Sequence, residues 1–249
     1  MNNQRHAGKI VAITGGSSGI GQAMTLRLVR EGAKVAVIDV ADASETIELA
    51  KQAGGEVRGY KCDISSWEQM SAVADKVRSE LGNPHILVHC AAYQFMRPFD
   101  DLKIEDFHKV QQVNVNGGFH LVKAFLSALR QAKWGRIVMV VSSSYFAPPK
   151  GMSHYIASKG ALIGFVRGLA AELGGDGITV NALAPGLTRT KNAVATVPQA
   201  HFDYVVAHQA VKRSGEPEDQ AAALSFLVSE DAAFMSGQTL LMDGGEGHV

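Results

Sequence analysis

The sequence predicts an α/β protein: one doubly wound parallel sheet of seven strands with helices on both faces. Three observations lead there. Short runs rich in Val and Ile alternate along the chain with longer stretches of helical pattern. Most of those runs lack strict polar–apolar alternation, as expected of strands covered on both faces. The repeated strand–helix order calls for right-handed crossovers, which lay successive strands parallel in one sheet.

Taken in chain order, the strands read as "KIVAIT" (9–14), "KVAVID" (34–39), "EVRGYKC" (56–62), "HILVHCA" (85–91), "GRIVMVVS" (135–142), "GITVNALA" (177–184) and "QTLLMDG" (238–244). Helical pattern fills roughly 19–31, 42–53, 66–81, 104–132, 153–174 and 217–228. No composition shift or low-complexity stretch marks a linker, so residues 1–249 read as a single domain. Residues 186–214 interrupt the rhythm with no clear strand. A long insertion just beyond a strand end is expected to be a substrate lid or binding loop.

Composition excludes several classes. Lys plus Arg and Asp plus Glu are both 24, the formal net charge is zero, and no block of like charges occurs. That argues against a nucleic-acid footprint or a membrane-surface patch. The first residues, "MNNQRHAGKIVAITGG", lack the apolar stretch of a signal peptide, and no run of apolar residues is long enough to span a bilayer. Cys62 and Cys90 are the two cysteines, too few for a disulfide framework, so a cytoplasmic location is expected. Nine histidines show neither His-Glu-x-x-His spacing nor a Cys-x-x-Cys companion; His85 and His89 lie four apart on a strand, and no metal site is expected.

The stretch "TGGSSGIG" (14–21) joins the first strand to the first helix. Gly15, Gly19 and Gly21 allow a tight turn in which backbone N–H groups approach a pyrophosphate at the positive end of the helix. No Gly-Lys-Ser/Thr follows, so this is not a Walker loop, and the Gly-x-x-x-Gly-x-Gly spacing differs from Gly-x-Gly-x-x-Gly. Asp39 ends the second strand, where a carboxylate can accept hydrogen bonds from ribose hydroxyls and repel a 2′-phosphate. No Arg or Lys stands in 40–44 or in the glycine turn, so NAD is expected rather than NADP.

At the other end of the argument stands "SHYIASKGAL" (153–162). On a helix, Tyr155 and Lys159 share one face, one turn apart. A free tyrosine has a pKa near ~10 and is a poor base at neutral pH; a nearby ammonium favours the phenolate. A positively charged cofactor ring would add to that effect. Ser142 ends the fifth strand, at the sheet edge outside which ligands bind in open α/β sheets, and can donate to a substrate oxygen. A plain polar strand-to-loop transition, Ser142–Ser144, is the competing reading. Tyr93, Phe95, Met96, Tyr145, Phe146, Phe202 and Tyr204 lie in segments expected near the pocket and suggest a substrate with an apolar or aromatic body.

Together these residues resemble the short-chain dehydrogenase/reductase family. The resemblance spans essentially the whole chain: "TGGSSGIG", Asp39, "CDIS" (62–65), "NVNGGF" (114–119), Ser142, "YIASK", "NALAPGLTRT" (181–190) and "MSGQTLLMDGG" (235–245) stand in family order and spacing. It implies a Rossmann fold and a catalytic set of Asn114, Ser142, Tyr155 and Lys159. In that set Tyr155 is the acid/base, Ser142 polarises the substrate oxygen, Lys159 holds the nicotinamide ribose and depresses the tyrosine pKa, and Asn114 positions a relay water. The implied cofactor contacts are Gly15, Ser17, Ser18, Gly19, Ile20, Gly21, Asp39, Asp63, Ile64, Cys90, Ala91, Tyr155, Lys159, Pro185, Gly186, Thr188 and Thr190. Asp63 and Ile64 are expected to meet the adenine, and the region of Thr188 and Thr190 the carboxamide.

The expected activity is NAD-dependent interconversion of a secondary alcohol and a ketone. Substrate contacts are expected from Tyr93, Phe95, Ser142, Ser144, Tyr145, Phe146 and Tyr155. "SSSYF" followed by "HYIASK" has a weaker similarity to members acting on aryl alcohols or pyridoxal-type rings. The resemblance also implies a homotetramer built through the regions 104–132, 153–174 and 238–244. A non-catalytic NAD(H)-binding regulator is the alternative; a sugar epimerase or dehydratase can use Tyr-x-x-x-Lys too but usually needs a longer chain. Two departures stand out. "HCAA" (89–92) replaces the usual Asn-Asn-Ala-Gly and keeps only Ala91, and His85 stands where Asp is common.

Overall fold

The structure is a computed structural model that describes residues 4–247. Its centre is a parallel sheet of seven strands: β1 (Ile10–Thr14), β2 (Lys34–Asp39), β3 (Val57–Lys61), β4 (Ile86–His89), β5 (Gly135–Val140), β6 (Ile178–Pro185) and β7 (Thr239–Met242). The spatial order is β3-β2-β1-β4-β5-β6-β7. The order reverses between β1 and β4, so a crevice opens outside their carboxyl ends. Register brings Thr14, the last residue of β1, beside His89, the last of β4.

Side-chain alternation on the strands supplies two cores. Ala12, Ala36, Ile38 and Leu87 point to one face and meet Met70, Leu121, Phe125, Leu162 and Val166. Val11, Ile13, Val35 and Val37 point to the other and meet Met24, Leu28, Ala50 and Leu224. The first layer is formed by α3 (Trp67–Glu80), α5 (Gly117–Ala132) and α6 (Ser153–Leu173), and the second by α1 (Gly19–Arg30), α2 (Ser44–Gln52) and α9 (Pro217–Leu227). Between them in the chain lie α4 (Ile104–Gln111), α7 (Lys191–Thr196) and α8 (Gln199–His208). Strands that read as continuous apolar runs are those buried on both faces.

Two sequence expectations are corrected. The stretch 104–132 is not one helix. Residues Gln112–Asn116 form a π turn that separates α4 from α5, with the Gly117 N–H bonding the Gln112 carbonyl. Such turns are rare, and helical periodicity does not disclose them. The fourth strand ends at His89, not residue 91, because beyond it the backbone turns away from the ladder into the crevice.

Residues 186–214 form no strand and instead carry α7 and α8. Their base is held by an isolated parallel bridge between Thr188 and Gly215 and by the Val211 N–H on the Gly244 carbonyl at 2.8 Å. Thr190 caps α7, its hydroxyl accepting the Ala193 N–H. An exposed Lys191–Glu45 pair at 2.7 Å ties α7 to α2. Among the described residues no helix is long and apolar enough to cross a membrane.

Candidate active site

The glycine turn leaves β1 and enters α1. Gly15 and Gly19 have φ of +72° and +55°, which favour glycine. A Cβ on Gly15 would lie 2.6 Å from the Ala91 backbone, and one on Gly21 would lie 2.0 Å from the Gly15 carbonyl oxygen. The turn is therefore a close-packed strip of backbone at the amino end of a helix. Ile20 packs against the core on the α1 side. Ser18 is the N-cap residue of α1 and its side chain makes no cap bond. Ser17 is buried, and its hydroxyl has no protein partner. An orphaned hydroxyl and a bare helix end fit a phosphate group.

Asp39 stands beside that turn. Its carboxylate accepts the Ser17 N–H at 3.1 Å through one oxygen and the Ala41 N–H at 3.1 Å through the other. It remains partly exposed, and its carboxylate has lone pairs left to accept further hydrogen bonds. Asp63 is more engaged: one carboxylate oxygen takes the Ser65 N–H and hydroxyl, and Lys109 lies 3.9 Å from the other. The Ile64 side chain belongs to the core and its carbonyl is held by His120. Cys90 follows β4, its N–H on the Thr14 carbonyl at 3.2 Å, and burial pushes its thiol up to about 11. On the far side, Pro185 ends β6, Gly186 packs against the Asp243 backbone, and the Thr188 hydroxyl donates to the Gly186 carbonyl at 2.9 Å. Thr190 comes within 3.3 Å of where a Gly19 Cβ would stand, so the two rims of the crevice touch there.

The four residues of the expected catalytic set converge from different elements. Tyr155 and Lys159 lie on α6, both buried, with the Lys159 Nζ 5.3 Å from the Tyr155 ring centre. Lys159 donates to the Val140 carbonyl at 2.8 Å. Burial pushes the lysine down to about 8. Burial likewise pushes Tyr155 up to about 12, against the pull of the Ser142 hydroxyl. The expected depression of the tyrosine pKa is therefore not a property of the protein alone. Desolvation of the phenolate outweighs the pull of the Ser142 hydroxyl, the neighbour that favours it. Ser142 caps the turn after β5, its Oγ accepting the Ser144 N–H at 3.3 Å and sharing a 2.6 Å bond with Ser144 Oγ. Ser142 and Ser144 thus form a local hydroxyl pair, which a substrate oxygen can join.

Asn114 lies in the π turn and is fully buried. Its side chain accepts the Tyr93 N–H at 2.7 Å and donates to the Tyr93 carbonyl at 3.1 Å and to Ser158 Oγ at 2.9 Å. Ser158 passes the bond on to the Tyr155 carbonyl at 2.7 Å. Asn114 therefore clamps the loop after β4 to the helix that bears Tyr155. Ser158 is not among the residues that the sequence singles out, because nothing in the linear order brings it to Asn114.

The expected substrate contacts divide. Tyr93 is 42 % exposed, and Phe95 stacks on the buried ring of His154 at 4.4 Å. Tyr145 lies edge-on to Phe146 at 5.1 Å and covers Gly160 of α6. These rings follow the carboxyl ends of β4 and β5. Tyr204, by contrast, stacks on His201 and His208 of its own helix, and Phe202 is buried against Arg189. His85 takes the part of an acidic residue in one respect: its Nδ1 accepts the Ile10 N–H at 3.1 Å, an acceptor role that Asp can also fill. No group of metal-ligating side chains occurs among the described residues.

A parallel sheet with this switch point, a glycine turn opening α1 and a buried tyrosine–lysine pair define a dinucleotide-dependent oxidoreductase architecture. A family model described as enoyl-(acyl carrier protein) reductase matches residues 15–246. The chain is 35% identical over 240 residues to the 3-oxoacyl-(acyl-carrier-protein) reductase of Pseudomonas aeruginosa, covering 96% of this chain and 97% of that one. It is 34% identical over 246 residues to the 7alpha-hydroxysteroid dehydrogenase of Escherichia coli K12, covering 98% and 96%. A crystal structure of a gluconate 5-dehydrogenase from Burkholderia cenocepacia, in complex with NADP and tartrate, superposes with a TM-score of 0.92 at 27% identity, covering 98% and 97%. The chain belongs to the short-chain dehydrogenase/reductase family.

Proposed function

We propose that this protein is an NAD-dependent dehydrogenase that interconverts a secondary alcohol and a ketone with an apolar or aromatic body. The observation that carries the reading is the convergence of Tyr155, Lys159, Ser142 and the Asn114–Ser158 clamp on one crevice. A bound nicotinamide ring supplies the hydride acceptor or donor. Tyr155 takes the hydroxyl proton as phenolate during oxidation and returns it as phenol during reduction. Ser142 donates to the substrate oxygen in both directions, which favours the charge that develops there. Lys159 holds a positive charge beside the phenol, and its anchor on the Val140 carbonyl keeps the ammonium on that side.

Asp39 supports NAD, because its carboxylate sits at the turn where a 2′-phosphate would have to approach. NADP in the Burkholderia neighbour makes NADP the reading to test against. The rings of Tyr93, Phe95, Tyr145 and Phe146 favour a flat or apolar substrate over a small polyol. Residues 186–214, held at their base and spanned by α7 and α8, act as a lid over the crevice. The exposed Phe119 ring on α5, 6.3 Å from the half-buried Phe165 ring of α6, supports assembly into a homotetramer in the cytoplasm.

The test is NADH formation on aryl, steroid and polyol secondary alcohols, with NAD and NADP in parallel and Tyr155→Phe beside the wild type. Turnover with NAD that the variant loses supports the reading. Wild-type turnover in the variant overturns the role of Tyr155, and silence with intact NADH binding favours a non-catalytic NAD(H) sensor.

A further inference from the structure

The sequence "HCAA" departs from its family at a position that the structure makes central. His89 is fully buried at the end of β4. Its Nε2 lies 2.8 Å from the Asn114 carbonyl oxygen and its Nδ1 lies 2.9 Å from Thr14 Oγ1. A carbonyl can only accept, so Nε2 carries the proton. Nδ1 is then an acceptor and the Thr14 hydroxyl donates to it. The remaining capacity of the Thr14 oxygen is used by the Ala91 N–H at 3.3 Å. One tautomer satisfies every polar atom of this buried set.

The same bonds link two halves of the site. Ala91 is the backbone against which Gly15 of the glycine turn packs. Asn114, at the other end, holds Tyr93 and Ser158, and through Ser158 the Tyr155 carbonyl. The ring also has a fitted slot. A Cβ on Gly118 would lie 3.0 Å from His89 Cδ2, whereas one on Gly117 would meet the Ile64 side chain at 2.6 Å. Gly118 is therefore the position that makes room for the imidazole. Burial, and the Lys159 ammonium from α6, push the ring's pKa down to about 4, which keeps it neutral.

We propose that His89 is a positioning residue: held in its Nε2–H tautomer, it ties the turn that receives the cofactor to the π turn that sets Asn114 against the catalytic helix. It touches neither substrate nor cofactor. The proposal rests on the dehydrogenase reading above and adds to it a residue outside the expected set.

The test compares wild type with His89→Gln, His89→Asn and His89→Leu on whichever alcohol the wild type oxidises. Gln offers an amide N–H long enough to reach Asn114; Asn reaches Thr14 and falls short of Asn114; Leu offers no polar atom. With Asn and Leu, kcat is expected to fall about tenfold to a hundredfold, the loss expected when a buried acceptor is left without its donor. KM for the alcohol is expected to move little, and Gln is expected to restore most of kcat. Thermal melting separates this from a general loss of fold. In the wild type, 15N chemical shifts of the labelled imidazole should report the neutral Nε2–H form from about pH 6 to about pH 8.

Wild-type kcat in His89→Leu overturns the proposal. So does a parallel loss of kcat, NADH affinity and melting temperature that Gln does not rescue, because that is the signature of a purely structural residue. An Nδ1–H tautomer overturns it directly. A wild-type chain silent on every alcohol overturns the dehydrogenase reading, while the imidazole 15N shifts, which need no turnover, still decide the tautomer on which the positioning role depends, so the two failures are told apart.

Discussion

Tyr155 and Lys159 sit on one helix face, but burial acts on them in opposite senses, raising the phenol to about 12 and lowering the ammonium to about 8. The sign of the pH dependence follows. Oxidation needs the phenolate, whose fraction rises with pH everywhere below the tyrosine pKa, and the Lys159 ammonium, which is lost above about 8, so kcat/KM for the alcohol should climb between about pH 6 and about pH 8. Reduction needs the phenol, which is already protonated there, so ketone reduction should not climb. Profiles in both directions check this, and an oxidation rate that falls with pH would count against Tyr155 as base. Tyr155→Phe should retain NADH binding in a fluorescence titration while turnover drops about a hundredfold to ten-thousandfold. Asp39→Ala removes a charged acceptor from the cofactor rim, so NAD should bind about tenfold or more weakly. NADP should gain relative to it, and competing titrations would show a preference for NADPH in the wild type if the charge argument is wrong.

At the scale of elements, the glycine turn and the π turn do the positioning. The Gly21 Cα approaches the Gly15 carbonyl so closely that a methyl group cannot fit without moving backbone. Gly21→Ala should therefore weaken NADH binding sharply while the protein still folds, because the strain falls on the turn and not on the two cores. Calorimetric titration together with a melting curve would show it; unchanged affinity would mean that the turn does not cradle the dinucleotide. The π turn moves Asn114 inward, and from there its amide reaches both the loop after β4 and Ser158 of α6. Both work by bringing backbone and amide groups to fixed places; the glycine turn is braced by the Asp39 carboxylate on the Ser17 N–H.

For the molecule as a whole, the sheet order puts the strand-borne pieces of the site at carboxyl ends, from Asp39 on β2 across β1, β4 and β5 to Pro185 on β6, on both sides of the reversal between β1 and β4. The opposite requirement, apolar surface left on the outside, appears on α5 and α6, where Phe119 is 49 % exposed and faces Phe165. If that face is buried between copies, Phe119→Glu should reduce the assembly to smaller species with little change in the fold of each chain. Light scattering after size exclusion measures this, and a wild type that elutes as a monomer would remove the tetramer.

The linear order of residues was enough for the alternation of strands and helices, the glycine turn, the Asp at the end of the second strand and the tyrosine–lysine pair. Each is a local pattern whose physics acts within a few residues: burial on both faces, positive φ, helical spacing. The break in 104–132 and the clamp from Asn114 to Ser158 were not legible in it. A π turn has no periodic signature, and residues 114 and 158 meet only when α6 packs beside the turn. The "HCAA" stretch could be seen as a departure but not understood. His89 acquires its tautomer and its partners only because parallel pairing sets it beside Thr14 and helix packing sets it under Asn114. Burial likewise decided the titration of Tyr155. Spacing alone places a cation near the phenol, whereas desolvation, which opposes that cation, exists only in the folded interior.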